Sequence, residues 1–216
     1  MKVKVVANIL GANDRVAEEN RQLFKDNGVF VINIMSSPGA GKTTLLESTL
    51  DALKDKYRIG VIEGDVATTA DAERIEKLGV PCVQINTGNM CHLDGSMVRD
   101  ALDEFDLKSL DLLIVENVGN LVCPAEFKVG EDHKVMLLSV TEGDDKPLKY
   151  PLMFHESTVL VINKTDLIPY TNFDLAKAER DSLSINPKLK VYPVSCRTGE
   201  GLDGWYGWLE SNLNTR

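Results

Sequence analysis

Lys42 and Thr43 close the run Met35-Ser-Ser-Pro-Gly-Ala-Gly-Lys-Thr-Thr44, an order of residues suited to holding a triphosphate. Backbone N–H groups from Gly39 to Thr43 can converge on a β-phosphate. The Lys42 ammonium can neutralise β- and γ-oxygens, and the Thr43 hydroxyl can ligate Mg²⁺. The usual G-x-x-x-x-G-K-[ST] pattern opens on glycine, and this chain has Ser36 there. Serine is tolerable because the later glycines make the close approach. Such a loop works only between a buried strand and a helix start. The apolar run Val29 to Met35 and the helical-looking Leu45 to Leu53 supply both, which separates this reading from a ligand-free glycine turn.

Asn163-Lys-Thr-Asp166 follows the apolar run Thr158 to Ile162 and so falls at a strand end. The Asp166 carboxylate can accept from the N1–H and the exocyclic amine of guanine together, a pair that adenine lacks. A buried carboxylate left unmet costs more than a good pair gains, so the residue discriminates against ATP. Asn163 would fix the loop and touch the base edge, while the stem of Lys164 covers the ring. Ser195-Cys-Arg197 follows the run Val191 to Val194, and backbone N–H groups around Cys196 would meet guanine O6. GTP and GDP are therefore the expected ligands.

Glu116-Asn-Val-Gly119 ends the strongly apolar run Leu110 to Val115, at a position where a γ-phosphate can be sensed. Gly119 can bring its N–H close without a side chain in the way. Glu116 could bind Mg²⁺ through water. Glu63-Gly-Asp65 ends the preceding strand-like run, placing Asp65 to orient Mg²⁺ or the attacking water, or else to cap a helix starting near Thr68. The expected catalytic set is Lys42, Asp65, Glu116 and Gly119. No glutamine stands where Ras-like enzymes align water, so slow intrinsic turnover is expected.

A second chemistry is carried by Cys91-His92 and Cys123. Cys123 follows Gly119 by four residues, which span at most about 13 Å, so metal at Cys123 must feel what Gly119 does. Two thiolates and an imidazole suit Zn²⁺ in a tetrahedral site or Ni²⁺ in a square-planar one. One chain supplies three ligands, and water or a second subunit must complete the shell. Cys82, inside a strand-like run, reads as a core residue.

The elements that must position these groups are strand-like runs at Tyr57 to Glu63, Pro81 to Asn86, Leu110 to Glu116, Lys134 to Val140, Ser157 to Asn163 and Lys190 to Val194. Helical periodicity falls between most of them, as at Ala70 to Leu78, His92 to Phe105 and Phe173 to Ser184. This alternation predicts an α/β fold, a mainly parallel β-sheet flanked by helices on both faces. Asn13 to Asn27 reads as an added amphipathic helix, and Leu202 to Leu209 as a closing helix whose tryptophans pack. With 216 residues, 43% of them apolar, one domain over 1–216 is expected, 1–28 being its N-terminal helical extension. A net charge of −9 argues against nucleic acid and anionic membranes as partners. No membrane span or secretory cleavage pattern is evident, so a cytoplasmic location is expected, with the four cysteines reduced.

Taken together, Ser37-Pro-Gly-Ala-Gly-Lys-Thr-Thr-Leu-Leu-Glu47, Gly64-Asp-Val with Asp71-Ala-Glu-Arg74, Asn86-Thr-Gly-Asn-Met-Cys-His-Leu-Asp94, Glu116-Asn-Val-Gly-Asn-Leu-Val-Cys-Pro-Ala125 and Thr141-Glu-Gly-Asp144 resemble the HypB family. These are GTPase accessory proteins for nickel insertion into nickel-iron hydrogenase, with a P-loop NTPase fold of the SIMIBI type. The resemblance covers nearly the whole chain. It implies nucleotide contacts at Ser37, Gly39, Ala40, Gly41, Lys42, Thr43 and Thr44, and at Asn163, Lys164, Asp166, Ser195, Cys196 and Arg197. Magnesium is implied at Thr43, Asp65 and Glu116, and nickel or zinc at Cys91, His92 and Cys123. Also implied is a GTP-dependent homodimer with interfacial metal sites, in which Lys149 resembles a lysine reaching the opposite subunit's nucleotide. Expected partners are a hydrogenase maturation accessory protein and the hydrogenase large subunit.

Two departures bear on this. The chain has no Cys or His before Cys82, which argues against the nickel storage tract of some relatives, and Ser96 stands where some carry a further histidine. Competing readings are a urease-type nickel accessory GTPase, expected to carry Cys-Pro-His, a metal carrier that does not hydrolyse its nucleotide, and an ATP-dependent kinase.

Overall fold

Apolar runs without alternation require burial on both faces, and parallel strands between two helical layers provide it. The computed structural model describes residues 2–65, 70–88 and 90–215. Its strands are β1 (Phe30–Ser36), β2 (Ile59–Asp65), β3 (Cys82–Asn86), β4 (Leu112–Glu116), β5 (His133–Ser139), β6 (Val159–Asn163) and β7 (Lys190–Pro193). The helices are α1 (Lys2–Asn27), α2 (Lys42–Leu53), α3 (Ala70–Glu76), α4 (Gly95–Ala101), α5 (Cys123–Glu126), α6 (Lys146–Lys149), α7 (Pro151–Glu156), α8 (Leu175–Ile185) and α9 (Leu202–Leu213). The seven strands form one sheet in the order β3-β2-β4-β1-β5-β6-β7. Every pairing is parallel, as the alternation of elements predicts.

The central strand shows how the layers are filled. Phe30, Ile32 and Ile34 point to one face, where they join Leu45, Leu46 and Leu50 of α2 and Trp205, Trp208 and Leu209 of α9. Val31 points the other way, toward Phe24 of α1 and Val98 of α4, and Met35 packs in a neighbouring cluster with Phe154 of α7 and Ala178 of α8. Each fully buried Leu or Phe contributes about 1.5–3 kcal/mol. The tryptophans are packing residues, as expected: Trp205 and Trp208 stack with centroids 5.3 Å apart, and Trp205 Nε1–H donates to Thr49 Oγ1 at 2.9 Å.

Most element bounds shift by one or two residues from the sequence expectation, and three helix boundaries differ with a consequence. Helix α1 begins at Lys2, well before Asn13. It runs through Gly11, where a Cβ would meet nothing within 4 Å, so that glycine lowers helix propensity without a steric reason to break the helix. Helix α9 continues past Leu209 to Leu213. The helix expected from His92 starts at Gly95, because the Asp94 side chain caps it by accepting from Met97 N–H at 2.9 Å. Cys91 and His92 are thereby left on the loop after β3. The helix start expected near Thr68 lies outside the described residues.

Candidate functional site

The phosphate loop leaves β1 at Ser36 and enters α2 at Lys42, its turn made by Gly39 and Gly41 at φ +76° and +102°. These left-handed conformations are strained for any residue with a Cβ. At Gly41 a Cβ would also lie 2.6 Å from Asn163 Nδ2. Ser36, at the position where glycine is usual, is used: its Oγ accepts from Lys42 Nζ at 3.1 Å. Ser37 donates its hydroxyl to Glu142. Thr44 lines the pocket that opens toward the base loop.

That base loop is knitted to the phosphate loop. Asn163 Nδ2 donates to Ala40 O at 3.0 Å, and Lys164 Nζ reaches Gly39 O at 2.7 Å. Lys164 holds a left-handed backbone at φ 65°, an uncommon conformation for a non-glycine residue, found here on the wall of a pocket. Ser195 Oγ donates to Asp166 Oδ1 at 2.7 Å. Gly41, Thr44, Asn163, Lys164, Asp166, Leu167, Cys196 and Arg197 enclose one pocket, which brings the expected base-binding residues together. One detail differs: the Cys196 amide, expected to face the base, donates to Asn163 Oδ1 at 3.2 Å. Burial pushes the Cys196 thiol up to about 11, in keeping with a contribution through the backbone alone.

Glu116 and Glu63 stand in register on β4 and β2. Both are buried, and each carries a buried Oε2 without a hydrogen bond. Glu116 Oε1 accepts from Thr43 Oγ1 at 3.1 Å. Burial raises the Glu116 carboxyl to about 7, against the pull of Lys42 and Thr43; burial and then the Glu116 charge raise Glu63 to about 8. Paired buried carboxylates beside a lysine and a threonine hydroxyl are a donor set for a hard divalent cation, which would relieve their mutual repulsion. Asp65 lies two residues further along β2, half-buried at the same end of the sheet. Gly119 lies against the phosphate loop, where a Cβ would fall 3.0 Å from Pro38 N and Cα.

The ligand-side loops of β3 and β4 bring Cys91, His92 and Cys123 together, their donor atoms all within 4.8 Å of one another. The sulfurs of Cys91 and Cys123 are 2.9 Å apart, and His92 Nδ1 is 3.6 Å from Cys91 Sγ. His92 packs against Phe127 at a centroid distance of 3.8 Å with the rings tilted by 32°, and burial lowers its pKa, which favours the neutral imidazole that a metal would require. The Cys91 hydrogen bond, followed by burial, pushes the Cys123 thiol up to about 11. Met90 and Val122, the neighbours of the two cysteines, are 39% and 55% exposed, so the cluster opens outward. From behind, the buried Lys134 ammonium donates to Ala125 O at 2.6 Å and Pro124 O at 3.3 Å, which satisfies backbone carbonyls of α5 and holds the helix that begins with Cys123.

Lys149 is not brought to this pocket. It is an exposed residue of α6, paired with Asp145 Oδ2 at 2.5 Å. Cys82 packs against the core as expected, with burial raising its thiol to about 12. Residues to which the sequence assigns no role of their own are Glu63 and Glu142, which appear only within motifs, and Phe127 and Lys134. An ionisable residue ending an otherwise apolar run is the one signal that marked Glu63; Glu142 lies far along the chain from Ser37, and the contacts of Phe127 with His92 and of Lys134 with Ala125 join separate elements.

A parallel sheet with this phosphate loop and base loop at its carboxyl edge defines a P-loop NTPase. Residues 30–193 match the model of the CobW/HypB/UreG nucleotide-binding domain. The hydrogenase maturation factor HypB of Azotobacter vinelandii is 51% identical, over 99% of this chain and 71% of its own length. The crystal structure of HypB from Archaeoglobus fulgidus superposes with a TM-score of 0.89 at 39% identity, covering 94% of this chain and 99% of that one. The structure of HypB from Helicobacter pylori in complex with nickel gives 0.88 at 40% identity, covering 94% and 96%. The chain belongs to the HypB family of hydrogenase maturation factors.

Proposed function

We propose that this chain is a GTP-hydrolysing metallochaperone that delivers nickel during maturation of nickel-iron hydrogenase. The observation that carries the reading is the position of the Cys91, His92 and Cys123 cluster on loops that continue directly from the strand ends facing the nucleotide. Guanine selection falls to Asp166, whose Oδ1 is held by Ser195, with Asn163 and Lys164 shaping the wall and the Cys196 and Arg197 segment closing the edge. Lys42 and the backbone N–H groups from Gly39 to Thr43 take the phosphates. Thr43, Glu116 and Asp65 would hold Mg²⁺, and their fit rests on the Thr43–Glu116 contact and the orphan Glu116 oxygen. When bound, that ion supplies charge neutralisation at the phosphates. No glutamine aligns the attacking water, so turnover is slow.

Nickel, or zinc in its place, is the cargo, bound by two thiolates and an imidazole with at least one position left for water, a second copy or an acceptor. In this reading GTP orders the loops of Asp65 and Glu116 and closes a homodimer, in which Lys149 reaches the partner's nucleotide. Hydrolysis then loosens the metal for transfer to an accessory protein and on to the hydrogenase large subunit. The chain works as one unit over 1–216, with 1–28 a helical extension, in the cytoplasm. Among the described residues no helix is long and apolar enough to cross a membrane.

Phosphate release from GTP tests the hydrolytic part, with Lys42→Ala as control. Release should be slow but clearly above the control, and excess ATP should not compete. Asp166→Asn should weaken GDP binding by roughly ten- to 150-fold, since a hydrogen bond to a charged group is worth about 1.5–3 kcal/mol. No release above the control would leave a carrier that uses nucleotide only as a structural ligand.

A further inference from the structure

Between the nucleotide and metal chemistry sits Leu93, the residue after His92, which is fully buried. Its side chain is pressed against Gly64, where a Cβ would fall 2.8 Å from the leucine Cγ. Gly64 separates Glu63 from Asp65 at the end of β2. The Leu93 backbone N–H donates to Asn117 Oδ1 at 3.0 Å. Asn117 follows Glu116 at the end of β4 and is also fully buried. Its Oδ1 accepts as well from Val118 N–H at 3.0 Å, its Nδ2 donates to Asn33 Oδ1 at 3.1 Å, and its own N–H donates to Ile34 O at 2.9 Å. The short loop that carries Cys91 and His92 is thus fastened at one residue to both strand ends that face the nucleotide. Cys123 lies on the continuation of the Asn117 loop.

We propose that Asn117 and Leu93 form the latch through which nucleotide state sets metal affinity, Asn117 by hydrogen bonding and Leu93 by packing on Gly64. The inference rests on the nucleotide-gated reading above and names the residues that enforce it. Two physical features recommend these groups over a diffuse path. A buried amide whose oxygen serves two backbone donors cannot shift without moving both or leaving one unmet. A side chain packed where even one added carbon would not fit transmits displacement instead of absorbing it. Any motion of the β2 or β4 end on the γ-phosphate side therefore reaches His92 within one residue. Neither Asn117 nor Leu93 ligates metal or touches nucleotide in this account, so they are positioning residues.

The test is a nickel titration of the full chain, read by sulfur-to-nickel charge transfer in the presence of GDP and of a non-hydrolysable GTP analogue. In the wild type the two affinities should differ by at least about fivefold, the lower end of ordinary coupling between sites. In Asn117→Ala the charge-transfer band and GDP binding should persist while the ratio of affinities falls to within twofold of one. Leu93→Ala removes the packing contact and leaves the hydrogen-bond centre in place; it should cut the ratio as well, and it carries the test if Asn117→Ala fails to fold. A wild-type ratio of one overturns the gated reading itself. A normal ratio in the wild type that survives in the folded variants overturns the latch and leaves the gating intact.

Discussion

At the base loop the polar side chains already hold partners within their own chain. Asn163 spans Ala40 and the Cys196 amide, Lys164 reaches Gly39 O, and Asp166 is held by Ser195. At the metal loops, Cys91 and Cys123 hold each other, His92 Nε2 has no hydrogen-bond partner, and the apolar neighbours Met90 and Val122 face outward. One region is preorganised for a ligand that it surrounds, while the other presents a partial coordination set that something further must complete. The contrast fits the two ligands of the proposed function. A nucleotide retained through a cycle gains from a prebuilt cradle, whereas an ion that must be handed on is better held where an acceptor can reach it.

The sharpest way to break this comparison is to disable each region separately. Lys42→Ala should lower affinity for the GTP analogue by one hundredfold or more while nickel still produces its thiolate charge-transfer band. Replacing Cys91 and Cys123 together by serine should abolish that band and leave GDP affinity within about twofold of wild type, both read by titration. Loss of both properties in either variant would mean that the two regions are one folding unit without separate sites.

Next in size is the pH dependence of nickel binding. His92 is kept neutral by burial, whereas the Cys123 thiol is pushed up to about 11, so nickel must displace a thiol proton but none from the imidazole. Nickel affinity should therefore rise with pH between about 6.5 and 8.5, tenfold per unit for each thiol proton released. Competition with a chelator of known affinity measures it, and a flat profile would contradict the thiolate assignment.

The smallest effect concerns Glu63. Its folded-state carboxyl lies at about 8, above the ordinary carboxylate range. The folded state thus binds more protons than the unfolded chain across the window between about 4.5 and 8, and stability falls as pH rises through it. Glu63→Gln should remove that penalty and raise stability at pH 8.5, in the absence of Mg²⁺, by about 1–2 kcal/mol. That corresponds to roughly 2–8 °C in melting temperature for a chain of this size. No gain at pH 8.5, or an equal gain at pH 5, would mean that the charge on Glu63 is not what costs stability.

Much of this architecture is legible in the sequence because buried parallel strands carry continuous apolar runs, and the chemistry sits at their ends. Asn163-Lys-Thr-Asp166 and Cys91-His92 are visible for that reason. The latch is not, since a bond from Leu93 N–H to Asn117 and the packing of Leu93 on Gly64 leave no periodic trace. The start of α4 is another case: apolar spacing carries the helix back to His92, but the Asp94 cap decides its first residue and frees Cys91 and His92 from helical geometry. Lys134 illustrates the same limit, because a buried lysine on a strand is recognisable only once the carbonyls of α5 are seen above it.

The central claim is that metal and nucleotide regions share one conformational equilibrium, and thermodynamic reciprocity offers its most direct test. If nucleotide state changes nickel affinity, nickel must change the preference for the GTP analogue over GDP by the same factor. Measuring both nucleotide affinities on the wild-type chain, with and without saturating nickel, should show that preference shift by at least about fivefold. The serine double variant should show no shift. Equal preferences with and without nickel in the wild type would contradict the account.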